Sequence, residues 1–383
     1  MRFHAHVNTS VRLLSDYHGH LPFAKWLKDF FKANKKFGSK DRRMISSLCY
    51  GYFRLGKNDT NFSPEKAVAI GYALQAPYPD DLLQYYLPEY CEWLFAHPHA
   101  GLQEKADYFH LDTSKIFTWQ HEVSERIDKK AFSFSHLVQP NVYLRIRPQQ
   151  LQNVLEKLPA IPEAKLIDKD ILQLPPAFKV EEYFELNTEV VVQDICSQKV
   201  SCLFPALPES PKIWDACAGS GGKSIMAADY YGKVKLTVSD VRQTILHNLK
   251  NRFRYAGLKA VHGFVADLEQ VVPLNDHYDF IIADVPCSGS GTWGRTPEQL
   301  LFFDKDKISS FSHRQKKITC NLLPSLTPGG YLLYITCSVF TEENESVIAH
   351  LLHAGNLELV KDMYLEGYNL RGDSLYGALL RRI

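Results

Sequence analysis

The sequence lacks several features that would assign it to a specialised class of protein. Its 8 cysteines form no CxxC motif and no cysteine–histidine cluster, which argues against a disulfide framework or a zinc site, so no metal is expected. No stretch is long and apolar enough to span a membrane, and residues 1–10 lack the basic and apolar regions of a signal peptide. We therefore expect a cytoplasmic protein that binds no membrane.

The chain also lacks an excess of charge of one sign. Its formal net charge is +1, so any surface for a polyanion such as nucleic acid has to be a local patch. The hydrophobic content of 45% and the charged content of 23% are ordinary for a globular protein. A length of 383 residues is sufficient for two or three domains, each with its own core.

The spacing of apolar residues changes twice along the chain. In residues 1–117 they recur at helical spacing, which predicts an all-helical domain. Residues 118–203 combine a strand-like alternation at 142–147 with a helical pattern at 151–158, which predicts a small α+β module. Residues 204–383 alternate strands and helices and therefore predict an α/β domain with a parallel sheet and right-handed crossovers.

Two apolar runs in the last part end in cysteine motifs. YDFIIADVPCSGSG (residues 278–291) has the short, β-branched run of a strand buried on both faces, followed by Asp284 and Cys287. YLLYITCS (residues 331–338) repeats this design and ends in Thr336 and Cys337. Because parallel sheets place their chemistry at the carboxyl ends of their strands, both thiols are expected at one edge of the sheet.

A glycine-rich turn follows the first predicted strand of this part. DACAGSGGKS (residues 215–224) would let the backbone approach a ligand closely and aim N–H groups at an anionic end, although a purely structural turn is the alternative for this motif alone. Asp240 follows the second strand near the roughly 20-residue offset from which an acidic residue reaches ribose hydroxyls. These features predict a site for a nucleoside with an amino-acid tail, formed by Cys217, Ala218, Gly219, Ser220, Gly221, Gly222, Lys223, Asp240, Asp267 and Asp284.

Basic residues concentrate in residues 25–43, which we call the basic segment. Neutralisation of phosphates is the largest sequence-independent source of nucleic-acid affinity, so this segment is the expected RNA-facing patch, and a solvated helix face is the alternative. Two arginines of the predicted strand at 142–147 are further candidates, although a half-exposed strand also carries such charges. The predicted RNA-binding residues are Lys25, Lys28, Lys32, Lys35, Lys36, Lys40, Arg42, Arg43, Arg145 and Arg147.

These motifs together resemble the RsmB/Sun family of S-adenosylmethionine-dependent RNA cytosine-C5 methyltransferases. The glycine loop, ADVPCSGSG and YLLYITCSVFTEEN are similar to the family's glycine loop, Asp-x-Pro-Cys and Thr-Cys-Ser motifs, and GSKDRRMISSLCYGYFR resembles its helical NusB-like region. The resemblance implies a Rossmann-like methyltransferase domain with a mixed, mostly parallel sheet at 204–383. It also implies a small ferredoxin- or RRM-like α+β module at 118–203 and a NusB-like RNA-binding domain at 1–117.

The chain departs from the family pattern at two places in the predicted cofactor site. Gly219 and Ser220 stand where the family usually has Ala-Pro, which makes the loop more flexible. Ile245 stands where an arginine often follows the second-strand aspartate. That cofactor contact is therefore in doubt unless Arg242 supplies it.

The resemblance also implies a mechanism. Carbon-5 of cytosine is a poor nucleophile until a thiolate adds at carbon-6. In this family the Thr-Cys cysteine, here Cys337, is the nucleophile, and the Pro-Cys cysteine, here Cys287, assists release. Asp284 would hold the N3/N4 edge of the cytosine, and Lys223 and the sulfonium of the cofactor are the candidates for the positive charge that favours the thiolate. An unpaired cytosine is the expected target because the base must leave any stack.

Two other classes of function stay open for this sequence. A DNA cytosine methyltransferase would use the Pro-Cys thiol as its nucleophile, but it leaves Thr336 and Cys337 unexplained. A catalytically inactive RNA-binding or ribosome-assembly protein has no physical need for Asp284 and both thiols. We expect ribosomal RNA rather than transfer RNA as the substrate, because the NusB-like region is typical of RsmB enzymes, and we expect a monomer.

Overall fold

The computed structural model describes residues 2–258, 261–270 and 276–383. No helix in these ranges combines the length and the apolar character needed to cross a bilayer. By internal contacts the chain divides into two compact units. The first contains Met1–His121, Asp128–Gln139 and Trp293–Lys305, and the second contains Glu122–Ile127, Pro140–Thr292 and Asp306–Ile383. The predicted division into three domains at residues 117 and 203 stays a prediction.

The helices of the described residues are, in chain order, α1 (Arg2–Asp16), α2 (Phe23–Ala33), α3 (Ser39–Arg54), α4 (Pro64–Ala73), α5 (Asp81–Tyr86), α6 (Pro88–Ala96), α7 (Leu102–Tyr108), α8 (Thr113–Ile116), α9 (Lys129–Ser135), α10 (Leu151–Lys157), α11 (Ile195–Lys199), α12 (Gly222–Tyr231), α13 (Gln243–Tyr255), α14 (Gln299–Phe302), α15 (Lys307–Leu322) and α16 (Glu345–Ala354). The strands are β1 (Val142–Ile146), β2 (Lys165–Asp168), β3 (Ile171–Leu174), β4 (Val190–Val192), β5 (Lys212–Asp215), β6 (Lys235–Asp240), β7 (His262–Val265), β8 (Tyr278–Asp284), β9 (Leu326–Thr336), β10 (Leu357–Glu366) and β11 (Ser374–Arg382).

The first unit is helical, as the spacing of its apolar residues predicts. On α2, Phe23, Leu27 and Phe31 recur every fourth residue and are buried on one face. Helices α3 and α4 cross with their backbones nearly in contact, because a Cβ atom at Gly51 would lie 2.7 Å from the carbonyl of Gly71. Only glycine allows this approach. The likeness of this unit to NusB stays a prediction.

The segment Trp293–Lys305 completes the core of this helical unit although it lies far along the chain. The ring of Trp293 lies 5.3 Å from that of Phe117 and 5.1 Å from that of Trp119. The carboxylate of Glu298 accepts a hydrogen bond from the backbone N–H of Phe23 at 3.1 Å, at the start of α2. The helical unit is therefore built from segments that precede and follow residues 140–292, which belong to the second unit.

The second unit contains a four-stranded antiparallel sheet in the order β2-β3-β1-β4. Its core includes Leu144, Ile146, Val154, Leu172 and Val190. This is the small α+β module that the sequence predicts. The expectation of a half-exposed strand at residues 142–147 is wrong, because β1 is buried at every position after Val142.

The second unit also contains, within the described residues, a seven-stranded sheet in the order β10-β11-β9-β8-β5-β6-β7. Strands β5 to β9 are parallel to one another. Strand β11 pairs antiparallel with β9, and β10 pairs antiparallel with β11. This mixed, mostly parallel sheet confirms the predicted fold class. Strand β8 lies between β5 and β9, and its centre is buried on both faces, as its apolar run predicts. Since Asp284 is in register with Ile335, β8 and β9 end side by side.

Candidate active site

The carboxyl ends of the parallel strands bring the predicted cofactor residues to one edge of the sheet. Between β5 and α12 the chain turns through Gly219 and Gly221, whose φ angles are +51° and +81°. A Cβ atom at Gly221 would lie 2.8 Å from the ring of Phe253, so this position requires glycine. The N–H of Gly219 donates to Asp240 at 3.1 Å, which ties the glycine loop to the end of β6.

Asp240 forms an ion pair with Arg242. The Arg242 Nε and the Asp240 Oδ1 are 3.1 Å apart. Burial opposes ionisation of Asp240, but the hydrogen bonds from Arg242 and Gly219 outweigh it and lower the pKa of this carboxyl. Ile245 stands where the family often has an arginine. Arg242, three residues earlier, binds the Asp240 carboxylate directly.

Lys223 and Asp284 form a second ion pair beside the thiols. The Lys223 Nζ lies 2.6 Å from the Asp284 Oδ2, and the lysine side chain is largely buried. Burial lowers the pKa of Lys223, but the charge of Asp284 and the hydrogen bond to it outweigh this effect and raise the pKa, with smaller contributions from Asp215 and Cys337. A positively charged ammonium group is therefore held close to Cys337.

The thiols of Cys287 and Cys337 are in contact. Their Sγ atoms are 3.3 Å apart, and both residues are partly buried. Cys337 directly follows β9, whereas Cys287 lies in the turn after β8. The hydrogen bond to Cys337, followed by burial and by the negative charges of Cys337 and Glu343, raises the pKa of Cys287 well above its usual value. Cys287 therefore holds its proton.

A cavity of about 500 Å³ lies at this edge of the sheet. It is lined by the carboxylates Asp240, Asp267 and Asp284, by the apolar residues Val241, Leu268 and Ile318, by Arg242 and Arg314, and by the thiols of Cys217, Cys287 and Cys337. A second cavity of about 280 Å³ adjoins the glycine loop and shares Cys217, Gly219 and Asp284 with the first. Apolar walls with a few convergent charged groups are typical of small-molecule sites.

The second cavity also contains the remaining predicted loop residues and one that the sequence analysis did not single out. Ala218, Ser220, Gly222 and Lys223 line it together with Asp215. Asp215 accepts a hydrogen bond from the Ser224 hydroxyl at 2.5 Å, while its Oδ1 is buried and has no partner among the described residues. Burial raises the pKa of Asp215 to about 7. Asp215 is the last residue of β5, and this position at a strand end is the sequence signal that could have identified it as a site residue.

The predicted RNA-binding residues separate into two groups. All eight basic side chains of the basic segment are exposed on or beside α2 and α3. Arg145 and Arg147 instead bind Asp229 of α12, each at 2.6 Å, and Arg145 is 5% exposed. Contact of either group with RNA stays a prediction, and the paired arginines hold the small sheet to α12.

Residues 202–372 match the family model described as 16S rRNA methyltransferase RsmB/F. Ribosomal RNA small subunit methyltransferase B of Xylella fastidiosa is 31% identical over 211 residues, which are 53% of this chain and 48% of that protein. Residues 202–372 are therefore similar to the RsmB/F methyltransferases. This agrees with the family that the motifs predict, although the chain spans about half the length of the curated relatives it matches.

Solved structures share the fold of this chain. A methyltransferase homolog protein from Pyrococcus horikoshii has a TM-score of 0.58 at 20% identity and covers 77% of this chain and 99% of its own. The crystal structure of NSun6 from Pyrococcus horikoshii with SFG has a TM-score of 0.59 at 14% identity, with coverage of 69% and 97%. At such identities the likeness shows the fold alone.

Proposed function

We propose that this protein transfers a methyl group from S-adenosylmethionine to carbon-5 of a cytosine in ribosomal RNA. The observation that carries the proposal is the contact between the thiols of Cys287 and Cys337, 3.3 Å apart at the edge of the cavity. Carbon-5 methylation of cytosine needs a thiolate to add at carbon-6 and a second group to assist its later expulsion. Two thiols in contact can supply both the attacking thiolate and the assisting group.

Cys337 is the nucleophile in this proposal. It lies at the end of a strand that is hydrogen-bonded on both sides, which fixes its distance from a bound base. The ammonium group of Lys223 stabilises its thiolate, and the Sγ of Cys287 lies within hydrogen-bonding distance of the same sulfur, at 3.3 Å. Attack forms a bond between this sulfur and carbon-6 and opens the C5–C6 double bond of the ring.

Asp284 positions the base. It lines the cavity between the glycine loop and the two thiols, and Lys223 holds its carboxylate in place at 2.6 Å. From there it accepts hydrogen bonds from the N3/N4 edge of a cytosine and supports protonation of the ring during the attack at carbon-6. Arg314 and the apolar residue Ile318 line the same cavity and limit the access of water.

The cavities at the glycine loop fit the cofactor. Val241 and Leu268 provide apolar walls for a purine ring, Asp240 and Asp267 provide acceptors for ribose hydroxyls, and the N–H-rich turn faces the second cavity. When bound, S-adenosylmethionine supplies the electrophilic methyl group that the activated carbon-5 takes up. Arg242 must share Asp240 with the ribose, because it already occupies this carboxylate.

Release of the product falls to Cys287. After methylation the proton on carbon-5 has to leave so that the double bond can re-form and the Cys337 sulfur can be expelled. Cys287 lies in a turn with two glycines and contacts Cys337. Once the Cys337 sulfur is bonded to carbon-6 and carries no negative charge, Cys287 can give its proton to solvent. Its thiolate can then take the carbon-5 proton as the Cys337 sulfur leaves as a thiolate. Without it the covalent adduct between protein and RNA would persist.

Two surfaces are each proposed to contact RNA: the basic segment and the catalytic edge. The eight exposed basic side chains of the basic segment neutralise phosphates, and the target cytosine leaves its stack to enter the cavity. Ribosomal RNA is proposed because the relatives are described as ribosomal RNA small subunit methyltransferases. No part of this recognition requires a duplex.

Mapping 5-methylcytosine in ribosomal and transfer RNA from cells with and without this protein tests the proposal. We expect loss of the mark at one or a few cytosines of small-subunit ribosomal RNA and its return when the intact protein, but not a Cys337→Ala variant, is supplied. Loss confined to transfer RNA would move the substrate to that class. An unchanged pattern in both RNAs would overturn the proposed function.

A further inference from the structure

Glu343 is a fully buried acid beneath the two thiols. It lies in the short turn between β9 and α16 and is 0% exposed. A buried carboxylate is costly unless hydrogen-bond donors satisfy it. The donors that Glu343 uses belong to α15 and to the two cysteine loops, meaning the turn after β8 that carries Cys287 and the turn after β9 that carries Cys337.

One oxygen of Glu343 binds the Cys287 loop. Its Oε2 accepts a hydrogen bond from the backbone N–H of Ser288 at 2.8 Å and from the side chain of Gln315 at 2.9 Å. Gln315 also donates to the carbonyl of Pro286 at 3.0 Å. The residues on both sides of Cys287 are therefore fixed, directly or through Gln315, to one carboxylate oxygen.

The other oxygen binds the Cys337 loop. Its Oε1 accepts a hydrogen bond from the hydroxyl of Ser338 at 2.7 Å. The Ser338 hydroxyl also lies 3.2 Å from that of Ser288 and 3.1 Å from that of Ser290. The residue after each cysteine is thus attached to the same carboxyl group, whose two oxygens are a fixed distance apart.

The turn that carries Glu343 is itself held in place. The hydroxyl of Tyr334 donates to the Glu343 carbonyl at 2.5 Å. The next residue, Asn344, accepts a hydrogen bond from Thr336 at 2.5 Å and donates to the carbonyl of Ser338 at 2.8 Å. All these groups are buried, so the carboxylate of Glu343 is a rigid connection between the loops.

The charges around the two thiols differ. Lys223 brings a positive charge to the Cys337 side, and Glu343 brings a negative charge to the Cys287 side. A negative charge beside a thiol favours the neutral form, and Glu343 binds the N–H of the residue after Cys287, so this arrangement favours Cys287 as the proton donor of the pair. The same residue that fixes the loops therefore also distinguishes the thiols.

We propose that Glu343 is a positioning residue for the thiol pair. It holds the sulfurs of Cys287 and Cys337 in contact by joining their loops, and it keeps the shared proton on Cys287. The proposal rests on the proposed function only for the roles of the two cysteines in the reaction. The contact and the position of the proton are properties of the protein without RNA or cofactor.

Oxidative cross-linking tests the connection between the loops. Diamide oxidises two neighbouring thiols to a disulfide, taking up their two protons and two electrons to become a hydrazine, and mass spectrometry of a non-reduced digest identifies the Cys287–Cys337 pair. A thiol displaced by about 1 Å reacts on the order of 100-fold more slowly. We expect Glu343→Ala to slow this disulfide by at least about tenfold, with Glu343→Gln and the exposed neighbour variant Glu342→Gln close to the intact protein.

Alkylation tests the position of the proton. Glutamine keeps an oxygen for the N–H donors and removes the charge, so in Glu343→Gln the Cys287 thiol should react with iodoacetamide at lower pH than in the intact protein. A residue with a merely structural role would leave this pH profile unmoved. Ser338→Ala removes only the hydroxyl and serves for cross-linking if Glu343→Ala fails to fold.

The outcomes separate this inference from the proposed function. Cross-linking of Glu343→Ala, or of Ser338→Ala in its place, at the rate of the intact protein would overturn the connection between the loops. An unaltered pH profile in Glu343→Gln would overturn the role in placing the proton. Neither measurement uses RNA or S-adenosylmethionine, so a failure of cytosine methylation leaves both results interpretable.

Discussion

Cys337 and Cys287 carry the same functional group in different surroundings. Cys337 directly follows a strand with neighbours on both sides, and a lysine supplies positive charge beside it. Cys287 lies in a serine- and glycine-rich turn, and a buried glutamate supplies negative charge beside it. The comparison teaches that two touching sulfurs can differ through their charged neighbours, and in the proposed reaction Lys223 and Glu343 separate the sulfur that attacks from the one that holds a proton.

Removal of Cys337 should have the largest effect on this comparison. Without the nucleophile, Cys337→Ala should lose methylation by at least about 10⁴-fold and form no covalent adduct with RNA. Methyl transfer from labelled cofactor and denaturing gels of the protein with substrate RNA measure both. Cys202→Ala, which changes an exposed cysteine outside the cavity, is the control.

Removal of Cys287 should reveal the other half of the comparison. Cys287→Ala should still form the adduct and then fail to release it, so that turnover falls by about 100-fold while a slow-migrating band accumulates. The same gels measure it. A band with Cys337→Ala and none with Cys287→Ala would reverse the roles and favour the chemistry of DNA cytosine methyltransferases.

Removal of Lys223 should weaken the difference between the thiols. Lys223→Met takes the positive charge from Cys337 and leaves Asp284 without its partner, so the rate of methyl transfer should fall by about 100-fold. Iodoacetamide labelling should slow more at Cys337 than at Cys287. Equal slowing at both thiols would contradict the assignment of Lys223 to one of them, and Lys233→Met at an exposed lysine is the control.

Replacement of Asp240 should affect the cofactor and leave the thiols unchanged. Asp240→Ala removes an ionised acceptor at the end of β6, and loss of such hydrogen bonds should weaken S-adenosylmethionine binding by about tenfold. Calorimetry measures the affinity, with the exposed Asp276→Ala as the control. Unchanged affinity would remove Asp240 from the cofactor site.

The catalytic edge could be predicted from the sequence because its signals are local. Apolar runs that end in Asp284 and Thr336 identify buried parallel strands, and parallel strands end at one edge. The hairpin formed with β10 was not predicted, because most of this strand is exposed and lacks a regular apolar alternation. An edge strand of this kind has no sequence pattern that separates it from a loop.

The charged partners could not be predicted because they depend on tertiary distance. Arg145 and Arg147 suggested an RNA-facing strand, but both bind Asp229, which is remote in sequence. The pair of Lys223 and Asp284 likewise joins two motifs that sequence analysis treats separately. A charged side chain on a helix or strand needs either an oppositely charged partner or contact with solvent, and only the tertiary structure shows which of the two it has.

The late segment Trp293–Lys305 has a consequence for synthesis of the protein. Chains emerge from the ribosome from the N-terminus, and domains generally fold as units in that order. The helical unit, however, still lacks Trp293, Glu298 and Phe302 when its own helices are complete, and Phe302 packs against Tyr17 at 5.1 Å. We therefore expect the nascent helical unit to keep an open apolar surface until residue 305 has emerged.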